Sequence, residues 1–308
     1  MRFGVHLGNF GPAASTHGIV SLAGAADRLG YASVWASDHI VTPQQFDSVY
    51  PYPGTVFTPD TAETVFEPIA TLAYLAGSTE HVTVGTSVFI APQRQPLVAA
   101  KQFATLDALC GGRVEVGLGA GWMREEFDIL GADHRHRGAI LDEHIELFQR
   151  VWTNTRTEYH GTYVEVPEVR FGPPPVRPGG PLLSVGGNGD VSIDRAARYG
   201  VGWHSFRLTP DEIMAGRGRY LAAAHRHGRT SDEVRILLRC NVSYGAADPD
   251  RPAWFLSGDT ESIAAGVDAY RAAGVTDLIV SPEPGRPVDE GVRTLERLAD
   301  EIVAERVR

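Results

Sequence analysis

A chain of 308 residues, 43% hydrophobic and 21% charged, can bury a sizeable core and has a length that α/β barrels use as one domain. Its net charge of −10 argues against nucleic acid or an anionic membrane as main partner, and no apolar run approaches the roughly 20 residues a bilayer needs. Cys110 and Cys240 stand far apart without a CxxC, so neither a disulfide framework nor a zinc site is implied.

The N-terminus enters a strand pattern at once, RFGVHLG, with no signal-peptide core, which predicts a cytoplasmic protein. Arg2–Leu7 reads as a first strand, followed by a Gly/Pro/Ser loop through His17 and a helix over Ile19–Leu29 that stops at Gly30. Ala32–Ala36 is a second strand, and Ser37-Asp38-His39 sits at its C-terminal end. Residues 40–64 form a long loop carrying Phe46, Tyr50, Tyr52 and Phe57 among prolines, the composition of a functional flap. Val65–Ala76 is helical. Val82–Val88 and Val114–Leu118 are short β-branched runs, as expected of strands buried on both faces of a parallel sheet. The helix between them, Pro96–Leu109, stops at Gly111-Gly112. Small residues gather where both strands end, either because something flat lies against the backbone or because helix and strand pack tightly.

A long helix follows over about Ala139–Val151, and residues 154–182 then break the rhythm as an excursion with β character. Leu182–Val185 is a fifth strand, running into Gly186-Gly187-Asn188-Gly189 and a helix over Val191–Tyr199. Gly202-Trp203-His204 ends a sixth strand, Pro210–His227 is helical, and Val234–Ser243 is a seventh strand. Thr260–Ala273 is a helix, Thr276–Val280 an eighth strand and Val288–Val303 a closing amphipathic helix. Eight strand–helix pairs make a (β/α)8 TIM-type barrel the economical fold, as one domain over 1–308 with an insertion around 154–182. No sustained repeat suggests a solenoid.

In such a barrel the site is assembled at the C-terminal ends of the strands. The sequence places Ser37, Asp38 and His39 there after strand two, Thr86, Ser87 and Val88 at strand three, and Gly119, Ala120, Gly121 and Trp122 after strand four. Gly186, Gly187, Asn188 and Gly189 follow strand five, and Trp203-His204 follows strand six. No carboxylate pair, Ser–His–Asp order or metal-ligand spacing appears among them, so the site is of the kind that holds a cofactor with its own chemistry and no metal. Asp38-His39 reads as a functional pair or as a hydrogen-bonded strand end. The glycine loop at 186–189 reads as an anion site or as a tight turn. His134 and His136, interleaved with Arg135 and Arg137, read as a solvated loop rather than metal ligands. GLGAGW is not a dinucleotide fingerprint, because Trp122 takes the place of the third glycine.

Several separated stretches, in order, resemble the bacterial luciferase-like superfamily and within it the coenzyme F420-dependent oxidoreductases. They are YASVWASDH at 31–39, VGTSVFIAPQRQP at 84–96, RVEVGLGAGWMREEFDILG at 113–131, RGAILDEHIELF at 137–148, LLSVGGNGDVSIDRAARYGVGW at 182–203 and GDTESIAAGVDAYRAAGV at 258–275. The resemblance implies a non-prolyl cis peptide at Ser87–Val88, a bulge against the deazaflavin. It implies that Asp38 and His39 approach the ring, with His39 as proton donor or substrate orienter, and that Gly119 to Trp122 pass beside it. The 186–189 loop would hold the phosphate of the cofactor tail with Ser192 and Arg195, and Arg207 and Arg286 are candidates for the tail acids.

The sugar-phosphate dehydrogenases of that branch carry a catalytic Glu where this chain has Trp122. That departure favours an apolar or aromatic substrate pocket closed by Trp122, Trp203 and the 40–64 loop. The implied reaction is hydride transfer between the deazaflavin and a C=C, C=O or C=N bond of a small-molecule substrate. A homodimer is implied, with a separate F420 or flavin reductase as partner. Beside this stand a two-component monooxygenase using reduced FMN, and a non-catalytic flavin-binding relative with a shortened barrel.

Overall fold

The computed structural model describes residues 1–308 except 12–13, 53–56, 60–63, 230–233, 247, 249 and 305–308. Its strands are β1 (Arg2–His6), β2 (Ser33–Ala36), β3 (Thr83–Ile90), β4 (Val114–Gly119), β5 (Arg156–His160), β6 (Glu165–Arg170), β7 (Leu182–Gly186), β8 (Gly202–Phe206), β9 (Ile236–Tyr244), β10 (Leu256–Gly258) and β11 (Asp277–Pro282). Eight of them pair in parallel in the order β9-β11-β1-β2-β3-β4-β7-β8, and β8 returns to β9, so the sheet closes on itself. The TIM-type (β/α)8 barrel read from the sequence is the fold observed, and all eight strands are present.

The helices are α1 (Thr16–Arg28), α2 (Pro68–Ala76), α3 (Pro96–Leu109), α4 (Arg124–Leu130), α5 (Arg137–Thr153), α6 (Asp190–Tyr199), α7 (Pro210–Arg226), α8 (Thr260–Ala272) and α9 (Val288–Leu298), the last running into a π turn over Ala299–Val303. Their starts follow local chemistry. Gln95 accepts from Val98 N–H ahead of Pro96, and Thr209 and Glu212 close a capping box ahead of α7. The excursion at 154–182 contains an antiparallel hairpin, β5 with β6. Glu143 of α5 holds its turn by accepting N–H groups of Thr162, Tyr163 and Val164.

Side chains that point into the barrel form three tiers. At the N-terminal end, Arg2 and Arg235 alternate with Glu115 and Asp277 in a ring of ion pairs. Above it the Trp35 indole fills the axis, fully buried with Leu237 and Ile279, and its Nε1 donates to Ser33 Oγ. Gly4 and Gly85 make room for that indole, since a Cβ at Gly85 would lie 2.6 Å from the ring. The third tier, nearest the mouth, is polar: His6, Ser37, Ser87, His204 and Arg239. A fully apolar interior would serve stability alone; a polar top tier makes the floor of a site.

Several expected boundaries shift. The third strand runs to Ile90 rather than Val88, with a register shift between Thr86 and Phe89. Helix α2 starts at Pro68 rather than Val65, because Val65 forms a bridge to Phe10. The short α4 and β10 were not read from the sequence at all. Part of the 40–64 loop lies outside the described residues.

Candidate active site at the barrel mouth

The floor of the mouth is the bulge of β3. The Ser87–Val88 peptide is cis, as the resemblance implied. Val88 lies against the adjoining strands, and a Cβ would come within 2.6 Å of a Val88 methyl at Gly119 and 2.8 Å at Gly186. These glycines of β4 and β7 thus clear space for Val88, which becomes the surface itself. Thr86 is fully buried, with its hydroxyl donating to Gly117 O at 2.8 Å. Ser87 Oγ meets His204 Nε2 at 3.0 Å.

Behind the bulge a hydrogen-bonded chain ties three strands together. Gly8 N–H donates to His6 Nδ1, which leaves the ring proton on Nε2, facing Ser37 Oγ at 2.9 Å. Arg239 Nη1 also donates to Ser37 Oγ, at 3.0 Å, and that hydroxyl donates in turn to the Ser87 carbonyl. Burial and the Arg239 charge hold His6 well below its ordinary pKa, and burial, Arg239 and Arg235 push His204 down to about 3. Both imidazoles are therefore neutral hydrogen-bonding groups near pH 7.

Asp38 and His39, adjacent in sequence, have separate surroundings. The Asp38 carboxylate is buried, chelated by Arg94 at 2.6 and 2.7 Å, and accepts Ile90 N–H at 2.7 Å. Burial raises its pKa against the pull of Arg94 and that N–H. With both oxygens engaged, it anchors the end of β3 rather than facing the mouth. His39 does face the mouth. Its ring lies 5.1 Å from Phe57 and 6.0 Å from Trp122, and its Nδ1 meets Glu126 Oε2 at 2.8 Å.

Glu126, from α4, is a site residue that the sequence reading missed. Its other oxygen accepts Ile40 N–H at 2.7 Å and Val41 N–H at 3.3 Å, the first residues of the long loop. Burial works to raise this carboxyl, but the His39 hydrogen bond and charge, with the Ile40 N–H, hold it below the usual range. Its neighbour Glu125 accepts the N–H groups of Asp47 and Ser48 at 3.0 and 3.3 Å. Consecutive glutamates thus clasp the loop at two points. Between and beyond them its aromatics close over the mouth: Tyr50, Phe57 and Phe46 lie 5.2, 5.1 and 6.3 Å from Trp122, and Tyr52 lies 5.1 Å from Phe206. The described part of the loop is arranged as a flap.

The glycine loop stands to one side. Gly187 has φ +128°, and a Cβ there would fall 2.3 Å from Ser192 Oγ. Helix α6 follows Gly189, and no side chain caps its first N–H groups. Asn188 does not point outward: its amide both donates to Phe206 O and accepts Phe206 N–H, clamping the end of β8. Ala120 and Gly121 carry the chain from β4 to Trp122, and Gly121 O accepts from Arg137.

Three expectations need correction. Trp203 does not close the pocket: it is fully buried, donates to Gly187 O and packs on Gly216 of α7, because strand side chains alternate and His204 takes the inward position. Arg195 is not at the glycine loop but pairs with Asp142 of α5. Arg286 pairs with Glu283 and Glu290. Arg207 does reach the mouth, over Phe206 and Trp254. His134 packs against Phe127, His136 pairs with Asp133, and among the described residues no group of three His, Cys, Asp or Glu could hold a metal.

Comparison with known proteins points to one family. An uncharacterized protein of Mycobacterium tuberculosis is 30% identical over 300 residues, 92% of this chain and 94% of its own length. The F420-dependent hydroxymycolic acid dehydrogenase of the same organism is 32% identical over 271 residues, 85% of this chain and 65% of that protein. Among solved structures, monooxygenase RslO1 from Streptomyces bottropensis superposes with a TM-score of 0.80 at 22% identity, covering 99% of this chain and 100% of that one. The model of the luciferase-like monooxygenase family matches residues 1–257, from β1 into β10, and the chain belongs to that family.

Proposed function

We propose that the protein is a coenzyme F420-dependent oxidoreductase that transfers a hydride between the deazaflavin and a C=C, C=O or C=N bond of an apolar or aromatic small molecule. The observation that carries this reading is His39, an imidazole that faces the aromatic mouth, held by a buried glutamate at 2.8 Å. An imidazole placed to handle a proton suits a reaction whose electrons come from a bound ring. The identity to an F420-dependent dehydrogenase favours the deazaflavin over FMN.

The residues present fit such a group. The side-chain-free Gly187 and the uncapped start of α6 suit the phosphate of the tail, with Ser192 beside them. Ser37, Ser87, Val88, Gly119, Ala120 and Gly121 line the floor on which the ring would lie, with Thr86, Asp38 and Asn188 holding that floor from behind. When bound, F420 supplies the hydride-carrier chemistry. His39 presents Nε2 to the reacting atoms, since its Nδ1 is engaged by Glu126, and donates or receives the accompanying proton there. Trp122, Phe57 and Tyr50 exclude water from that nitrogen. We place the protein as one barrel domain over 1–308, acting as a homodimer with a separate reductase.

The test is anaerobic titration of the cofactor-free protein with oxidised F420 and, separately, FMN, followed by fluorescence quenching. Tight deazaflavin binding with weak FMN binding is expected. The reverse preference moves the protein to the two-component monooxygenases, and binding of neither removes the glycine-loop assignment.

A further inference from the structure

We infer that Arg239 is an acid-binding point in the floor of the mouth, and that the substrate carries a carboxylate on its apolar or aromatic body. This deepens the function proposed above and rests on it for where a substrate sits. Other buried arginines of the protein are filled: Arg94 is matched to Asp38, Arg195 to Asp142, Arg235 to Glu115 and Asp277, and Arg113 donates to four backbone carbonyls. Arg239 is not. Among the described residues its ion-pair partners include no carboxylate, its Nη1 donates to Ser37 Oγ, and its buried Nε has no hydrogen-bond partner.

Among the described residues, the groups around it do not supply a negative charge. They are the neutral His6 and His204, the cation Arg207, the Cys240 thiol, and Tyr50 and Tyr52 from the flap. Burial pushes the Cys240 thiol and the Tyr52 phenol up to about 12, so both stay protonated, and pushes Arg239 down to about 10, still charged at neutral pH. A desolvated guanidinium without a counter-charge is costly, and one kept at the mouth of a barrel is placed for a ligand's charge.

The geometry selects the kind of anion. Ser37 holds the Nη1 corner, which leaves the edge formed by Nε and Nη2, the edge that grips a carboxylate through two parallel N–H bonds. The guanidinium lies 5.0 Å over Phe206, a ring that Arg207 also covers at 4.7 Å and that meets Tyr52 of the flap at 5.1 Å. The cation therefore borders the aromatic space that the flap covers, where a flat apolar body would lie.

The test uses 3-phenylpropanoate and its neutral isostere 3-phenylpropanamide as probes, with binding to the full chain read by calorimetry, both cofactor-free and loaded with F420. The acid is expected to bind at least about tenfold more tightly than the amide, as a charge-assisted pair does. Arg239→Met should abolish that preference, with any loss of F420 affinity through the Ser37 contact staying below tenfold. Arg239→Lys, which keeps the charge but not the fork, should reduce the preference at least threefold, and it serves if the Met variant does not fold. Equal binding of acid and amide to the wild-type protein overturns the inference, as does a preference unchanged in both variants. A tenfold loss of F420 affinity in Arg239→Met also overturns it, by assigning the arginine to the cofactor's ring oxygens. Because the preference is read on the cofactor-free protein as well, failure of the F420 titration alone leaves it standing.

Discussion

His39 and Glu126, 87 positions apart, share a hydrogen bond of 2.8 Å, and the same carboxylate holds the first N–H groups of the flap. Imidazole orientation and flap position therefore depend on one side chain. On a substrate reduced with F420, His39→Ala is expected to lower kcat by about 10²–10⁴-fold, the usual weight of a positioned acid or base. Glu126→Gln should cost about 10–100-fold, and the double variant should be no slower than His39→Ala, because the two act as a unit. Additive losses in steady-state kinetics would break that coupling.

Glu125 makes the second clasp, and its carboxyl is depressed to about 2, with the Ser48 hydroxyl the largest lowering cause. A folded-state pKa below the ordinary value near 4.5 means the interaction is fully present above that value and is lost as pH falls through about 2. Amide exchange protection at Asp47 and Ser48 should persist from pH 7 to pH 3. Glu125→Ala should lower it about tenfold at every pH in that range.

The charged ring at the base of the barrel makes a stability prediction. Removing one member of a buried ion pair leaves its partners uncompensated, so Asp277→Asn should destabilise the fold by about 3–5 kcal/mol in urea unfolding. Burial opposes ionisation of Asp277, yet Arg235 and Arg2 hold its carboxyl below the ordinary 3.8. Its contribution is thus complete above that value and fades as pH falls through the depressed one. The wild-type protein should lose stability more steeply than Asp277→Asn below about pH 4.

Gly85 faces the Trp35 ring at a distance that admits no side chain. Gly85→Ala should cost about 1–3 kcal/mol as overpacking, lowering the thermal midpoint by about 2–4 °C for each kcal/mol. A calorimetric midpoint unchanged within 1 °C (roughly the error of such a scan) would show that the indole has room to move.

The barrel was legible because alternating runs and glycine stops survive in nearly every unit, as in Leu182–Val185 followed by Gly186. The seven-residue α4 was not, since REEFDIL is too short to show helical periodicity. Glu126 was hidden for the same reason: an acid in the first turn of a helix is ordinary. Arg239 and His6 were hidden inside strand runs, ILLRCNV and RFGVH, where one polar residue marks an inward position only once the barrel is known. Trp203 was legible and misread, because His204 at the same strand end already claimed the inward face. Ser37, Ser87 and Val88 were placed at strand ends by the barrel pattern, and only the resemblance implied the cis peptide at Ser87–Val88.

The strand nearest the N-terminus, β1, takes one of its two neighbours from β11, with Arg2 opposite Asp277. β11 also joins β9, so it is the stave that closes the barrel, and it lies beyond the segment the family model matches. During synthesis on a ribosome, β1 and β9 must wait with an unpaired edge each until residues 277–282 have emerged. A chain stopped at residue 257 would contain both His39 and Glu126 yet present two open parallel edges, and such a fragment is expected to aggregate rather than fold.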